Sequence, residues 1–96
     1  MNLAELFEIV QARRQAAPPG SYTAQLFAAG EDEIVKKVGE EAIEVILAAK
    51  GQGDSRLIEE VADLYYHSLV LLARRGLTLA DVEAELGRRH AARPPT

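Results

Sequence analysis

Ninety-six residues, 48% of them hydrophobic and none of them cysteine, suffice for one domain with one core and exclude a disulfide framework, a thiolate zinc site and a cysteine nucleophile. Fifteen acidic against eleven basic side chains give a formal charge of −4, which disfavours a nucleic-acid backbone as partner and remains compatible with a metal-bridged phosphate. No basic N-terminal segment leads into an apolar run, and no apolar stretch approaches the roughly 20 residues needed to span a bilayer, so a soluble, cytoplasmic protein with no membrane partner is expected.

Taken in chain order, Leu3, Leu6, Phe7 and Val10 recur at helical spacing behind Asn2 as N-cap, and the pattern stops at Pro18-Pro19-Gly20. Ser21 can cap a short helix that ends at Gly30. A long helical pattern from about Glu31 to Lys50 closes at Gly51-Gln52-Gly53. A second, from about Asp54 or Ser55 to Arg75, closes at Gly76, and the two are expected to form an antiparallel hairpin. Thr78 and Asp81 fit a capping box, with Leu77 and Val82 at staple positions, for a last helix running to about His90. Residues 1–90 are therefore read as the domain, and 91–96, with Pro94-Pro95, as a frayed tail.

Five aromatics and no tryptophan, against abundant Ala, Leu, Val and Ile, favour helix-on-helix packing. The fold class expected is all-α: a bundle of four to five helices, with apolar stripes that so short a chain cannot cover alone and that a second copy would complete as a homodimer.

At about 100° per residue, Lys37, Glu40, Glu41 and Glu44 fall within a sector of roughly 100° on the first long helix. On the second, Glu60, Asp63 and His67 fall within roughly 60°, with Arg56 and Arg74 further along the stripe. Charged helical faces are usually solvated surface. Here Leu47, Val45 and Ile34 flank the first stripe and Leu64, Val70 and Leu71 the second, so both are expected to be partly covered. Packed together, such carboxylates repel unless protonated or neutralised, and a hard cation with oxygen ligands, magnesium or manganese, neutralises them. The set lacks the Glu-x-x-His pairs of a bundle-type di-iron site, since His67 follows Asp63 by four positions.

The arrangement Glu41-x-x-Glu44, fifteen intervening residues, then Glu60-x-x-Asp63 resembles the signature of the all-α nucleoside-triphosphate pyrophosphohydrolases, the group of MazG-like enzymes and dimeric dUTPases. Ser21-Tyr22-Thr23, the run Lys36 to Glu41, the run Glu59 to His67, and Arg88-Arg89-His90 together resemble the phosphoribosyl-ATP pyrophosphatase family over roughly Leu6 to His90. Gln25 and Glu33 stand where that family often has basic residues, a departure that bears on substrate contacts more than on metal binding.

The resemblance implies a magnesium-dependent hydrolase, with manganese as a possible substitute, that converts phosphoribosyl-ATP to phosphoribosyl-AMP and pyrophosphate in the second step of histidine biosynthesis. It implies that Glu41, Glu44, Glu60 and Asp63 bind the metal, with Glu40 as a further ligand or a water-orienting base. For substrate it points to Ser21, Tyr22, Thr23, Lys36, Lys37, His67, Arg88 and Arg89. Each of these also has an ordinary reading: Ser21 as an N-cap, Lys37 paired with Glu41 along its helix, His67 as a partner of Asp63, and Arg88 and Arg89 as last-turn cations at a helix C-terminus. Two rivals stay open at this point, a related enzyme for another nucleotide and a non-enzymatic helical dimerisation module.

Overall fold

The structure, a computed structural model, describes residues 1–92 and contains five helices: α1 (Leu3–Ala16), α2 (Tyr22–Ala29), α3 (Glu31–Gly51), α4 (Asp54–Arg74) and α5 (Leu79–Ala92). The all-α expectation holds, and among the described residues there is no strand. The last helix runs two residues beyond His90. Ala91 and Ala92 therefore belong to it, and the rest of the expected tail, 93–96, lies outside the described residues.

Local chemistry explains the boundaries. The Asn2 side chain accepts from the Glu5 amide at 2.8 Å and the Ser21 hydroxyl from the Ala24 amide at 3.1 Å, each satisfying an otherwise free first-turn donor. The capping box closes reciprocally, Thr78 N–H donating to Asp81 Oδ2 at 2.9 Å and Asp81 N–H to Thr78 Oγ1 at 3.2 Å. At the C-terminus of α4 the Leu77 amide donates to the Leu72 carbonyl and the Gly76 amide to that of Ala73, a Schellman closure that needs the positive φ of 70° at Gly76. Arg14 of α1 also donates to the Ala73 carbonyl while its guanidinium lies over the Phe27 ring, tying α1 and α2 to the end of α4.

The α3/α4 hairpin, joined through Gln52 and Gly53, is the spine, and α1 and α2 pack across one end of it. There Phe7 and Val10 of α1, Leu26 of α2, Ile34 of α3 and Leu69, Val70 and Ala73 of α4 form the buried core. The other end of the hairpin is bare: Ile43, Ile46, Leu47 and Ile58 are each about half exposed or more. The expected cover over the α3 stripe is thus confined to Ile34 and Val45, with Leu47 in the open. A helix of 21 residues is about 31 Å long, more than the shorter helices can cover.

One position carries backbone strain. Ala17, the C-cap of α1, sits in the left-handed region at φ 46°, where a Cβ crowds the following carbonyl. Ala17→Gly is expected to stabilise the fold by about 0.5–1 kcal/mol, the relief of strain exceeding the added freedom of the unfolded chain, as read by urea denaturation.

Candidate metal centre

Antiparallel pairing of α3 with α4 sets Glu41 against Glu60 and Asp63, one turn apart on the facing helix, and one carboxylate oxygen from each lies within 4.8 Å of the others. Glu60 is buried, Glu41 half-buried and Asp63 exposed, so the cluster grades from interior to solvent. Burial, then the nearby Asp63 charge, with Glu60 adding to it, raises the Glu41 pKa above the usual carboxylate range, while His67 acts in the opposite sense. Like charges are held together by the packing of two helices rather than by their own attraction.

Oxygen ligands of octahedral magnesium at 2.0–2.1 Å stand about 2.9 Å apart when adjacent and about 4.2 Å apart when opposite, so the three oxygens, within 4.8 Å of one another, need close by no more than about 2 Å to bind one ion. An all-carboxylate donor set suits a hard divalent cation. The residues present therefore fit such an ion.

The other expected site residues divide into three groups. Glu44 is half-buried one turn further along α3, outside the three-oxygen group and close enough to Arg56 to strengthen its charge. Glu40 is exposed and pairs with Lys37 at 3.5 Å, so the helix partner of Lys37 is Glu40 and not Glu41. Glu40, then the Tyr22 phenol, raises the Lys37 pKa, which places this ammonium between α3 and α2; Lys36 is exposed.

Around His67 the sequence residues of α2 and α4 meet. The buried ring donates from Nδ1 to the Asp63 carbonyl at 2.9 Å, with Glu41 Oε1 at 3.9 Å from the same nitrogen. In the neutral ring this leaves Nε2 to accept from the Tyr22 hydroxyl at 3.2 Å. Thr23 Oγ1 bonds the Tyr66 hydroxyl, and the Tyr66 ring meets His67 edge-on at 4.9 Å between centroids. Tyr22 and Thr23 thus stitch α2 to the α4 turn that carries Asp63, and Ser21 caps α2.

Arg88 and Arg89 both engage Glu85 within α5. A pocket between α5 and Leu3 of α1 with Tyr65, Leu69 and Leu72 of α4 lies across α4 from the carboxylates, and the structure does not bring either arginine to the cluster. Two side chains given no role by the sequence are part of the site's surroundings. Tyr66 holds Thr23, and Arg56 donates from Nη2 to Glu60 Oε1 at 2.6 Å and from Nη1 to Glu59. The i, i+4 spacing of Arg56 and Glu60 was the available signal.

The chain is similar in sequence to known proteins over most of its length. A family model described as phosphoribosyl-ATP pyrophosphohydrolase matches residues 3–90. The phosphoribosyl-ATP pyrophosphatase of Pelotomaculum thermopropionicum is 56% identical over 87 residues, 91% of this chain and 89% of the relative. Those of Lactiplantibacillus plantarum and Pyrobaculum islandicum are 50% and 51% identical, covering 92% and 91% of this chain and 83% and 93% of their own.

The Glu41 shift has a definite sign. Its carboxyl keeps its proton to higher pH folded than unfolded, so its contribution to stability is full below the ordinary carboxylate pKa and is lost as pH rises through the raised value. With chelator present, Glu41→Gln is expected to be more stable than the parent at about pH 8, with the difference closing toward about pH 4, in denaturant titrations at each pH.

Proposed function

The chain belongs to the phosphoribosyl-ATP pyrophosphohydrolase family, and from that premise we infer that it hydrolyses phosphoribosyl-ATP to phosphoribosyl-AMP and pyrophosphate, the second step of histidine biosynthesis, on the Glu41, Glu60 and Asp63 cluster. The single observation that carries the site is the convergence of three carboxylate oxygens from two helices, with no lysine or arginine among the described residues pairing with Glu41 or Asp63.

A bound magnesium ion, or manganese in its place, supplies neutralisation of phosphate charge and activation of a water. Glu41, Glu60 and Asp63 would hold it, with Glu44 one turn away as a fourth carboxylate. Glu40, exposed on the same stripe, would take a proton from the attacking water. Lys37 lies between Glu40 and Tyr22, which favours it over Lys36 for contact with a phosphate oxygen. Ser21, Tyr22 and Thr23 contribute through the N-terminus of α2, whose free amides suit an anion, their hydroxyls having internal partners. His67, buried and bonded at both nitrogens, serves by fixing the Asp63 turn against Tyr22. Arg88 and Arg89, engaged with Glu85 on α5, are left out of this reading of the cluster.

The bare half of the hairpin supports a homodimer. Ile43, Ile46, Leu47 and Ile58, with Tyr65 further along α4, are exposed apolar side chains that a second copy would cover. No described helix is long and apolar enough to cross a membrane; we place the enzyme in the cytoplasm with its nucleotide substrate.

Pyrophosphate release from phosphoribosyl-ATP should require magnesium and fall at least ~100-fold in Asp63→Asn. Release that is indifferent to both would remove the cluster from the reaction, and release from other nucleoside triphosphates in preference would reassign the substrate. Ile58→Glu should convert the dimer to monomer in sedimentation experiments; an unchanged mass would place the contact elsewhere.

A further inference from the structure

Glu60 is the most buried carboxylate of the cluster, its side chain 7% exposed, against 58% for its neighbour Glu59. A buried carboxylate needs a counter-charge, and one left without it is costly. The only lysine or arginine among the described residues that pairs with a carboxylate of the three-oxygen group is Arg56, with Nη2 on Glu60 Oε1 at 2.6 Å. An ordinary i, i+4 pair on an exposed helix contributes a few tenths of a kcal/mol and has no consequence for a site. This pair differs because one member is interior and sets a carboxylate oxygen within 4.8 Å of those of Glu41 and Asp63.

The guanidinium itself is not interior. The Arg56 side chain is 48% exposed, and its other contacts are with exposed Glu59 and the field of Glu44, so it sits on the rim of the cluster on a long, flexible stem. A divalent ion that draws on Glu60 takes over the neutralising role that Arg56 fills. The planar fork is then available at the rim, where it matches the geometry of a phosphate oxygen pair.

We propose that Arg56 is a phosphate-binding residue of this site, which pairs with Glu60, competes with the divalent cation for that carboxylate, and turns to the nucleotide's phosphate chain once the cation is in place. This rests on the reading of Glu60 as a metal ligand. Its particular consequence is that removing a positive charge improves metal binding while it weakens substrate binding. A residue with a merely structural role would weaken both or neither.

The test is calorimetric titration of the full chain with magnesium chloride at about pH 8 without nucleotide, together with KM for phosphoribosyl-ATP at saturating magnesium. In Arg56→Gln, magnesium should bind about threefold tighter or more, since a cation at contact distance contributes on that order through a partly screened path. KM should rise about tenfold, as for loss of a charged hydrogen-bonding partner. Arg56→Lys keeps the charge and loses the fork, so its magnesium affinity should stay within about twofold of the parent while KM still rises.

Unchanged or weaker magnesium binding in Arg56→Gln, or an unchanged KM in both variants, would overturn the proposal. If circular dichroism shows Arg56→Gln to be misfolded, the KM of Arg56→Lys decides. Asp63→Asn separates this from the underlying reading: magnesium binding there equal to the parent would sink the metal site itself, whereas binding lost there with both Arg56 variants like the parent would sink only the role of Arg56.

Discussion

The packing of α3 on α4 holds Glu41 against Glu60 and Asp63, and this enforced crowding of negative charge is what the remaining features answer to. Left alone, the three carboxylates would push the helices apart. They are kept in place by apolar contacts at one end of the hairpin, where Ile34 meets Leu69 and Val70 under the cover of α1 and α2. Arg14, by donating to the Ala73 carbonyl of α4, and Tyr22 and Thr23, by bonding His67 and Tyr66, carry that support to the edge of the cluster. The fold stabilises an arrangement that is unfavourable by itself, as expected where a ligand is meant to complete the charge balance.

The cluster stands at the boundary between the covered and the bare halves of the hairpin. On one side lies a close-packed core, and on the other Ile43, Ile46, Leu47 and Ile58 face outward. A substrate bound there would have a rigid wall behind it and a surface suited to a second copy beside it. The proposed chemistry suits both the family to which the chain belongs and the polarity of the site: a hard cation would be held by oxygen, and an anionic nucleotide would be drawn to that cation despite the chain's net negative charge.

Much of the fold was legible because its punctuation is chemical and local. Asn2, Ser21 and the Thr78/Asp81 box mark helix starts through bonds that the side chains make themselves, and Gly76 marks a stop through a backbone angle that other residues resist. The carboxylate faces were legible for the same reason, since helical periodicity fixes the angle at which a side chain leaves its axis. It does not fix height along a partner helix. Glu41 and Glu44 share a face, but only Glu41 brings a carboxylate oxygen into the group formed with Glu60 and Asp63, a choice of partner that the periodicity of one helix does not set. Competing partners were equally invisible: Lys37 takes Glu40 in place of Glu41, and Arg88 and Arg89 spend their donors on Glu85. The end of α5 falls at Ala92, two residues past the expected His90, because Ala91 and Ala92 are good helix formers.

Crystals grown with manganese, with diffraction collected on both sides of its absorption edge, address the central claim most directly. An anomalous peak within about 2.2 Å of oxygens from Glu41, Glu60 and Asp63 is the predicted result. A manganese peak bound elsewhere on the chain, with these three carboxylates free of it, would contradict the assignment of this cluster as the metal centre.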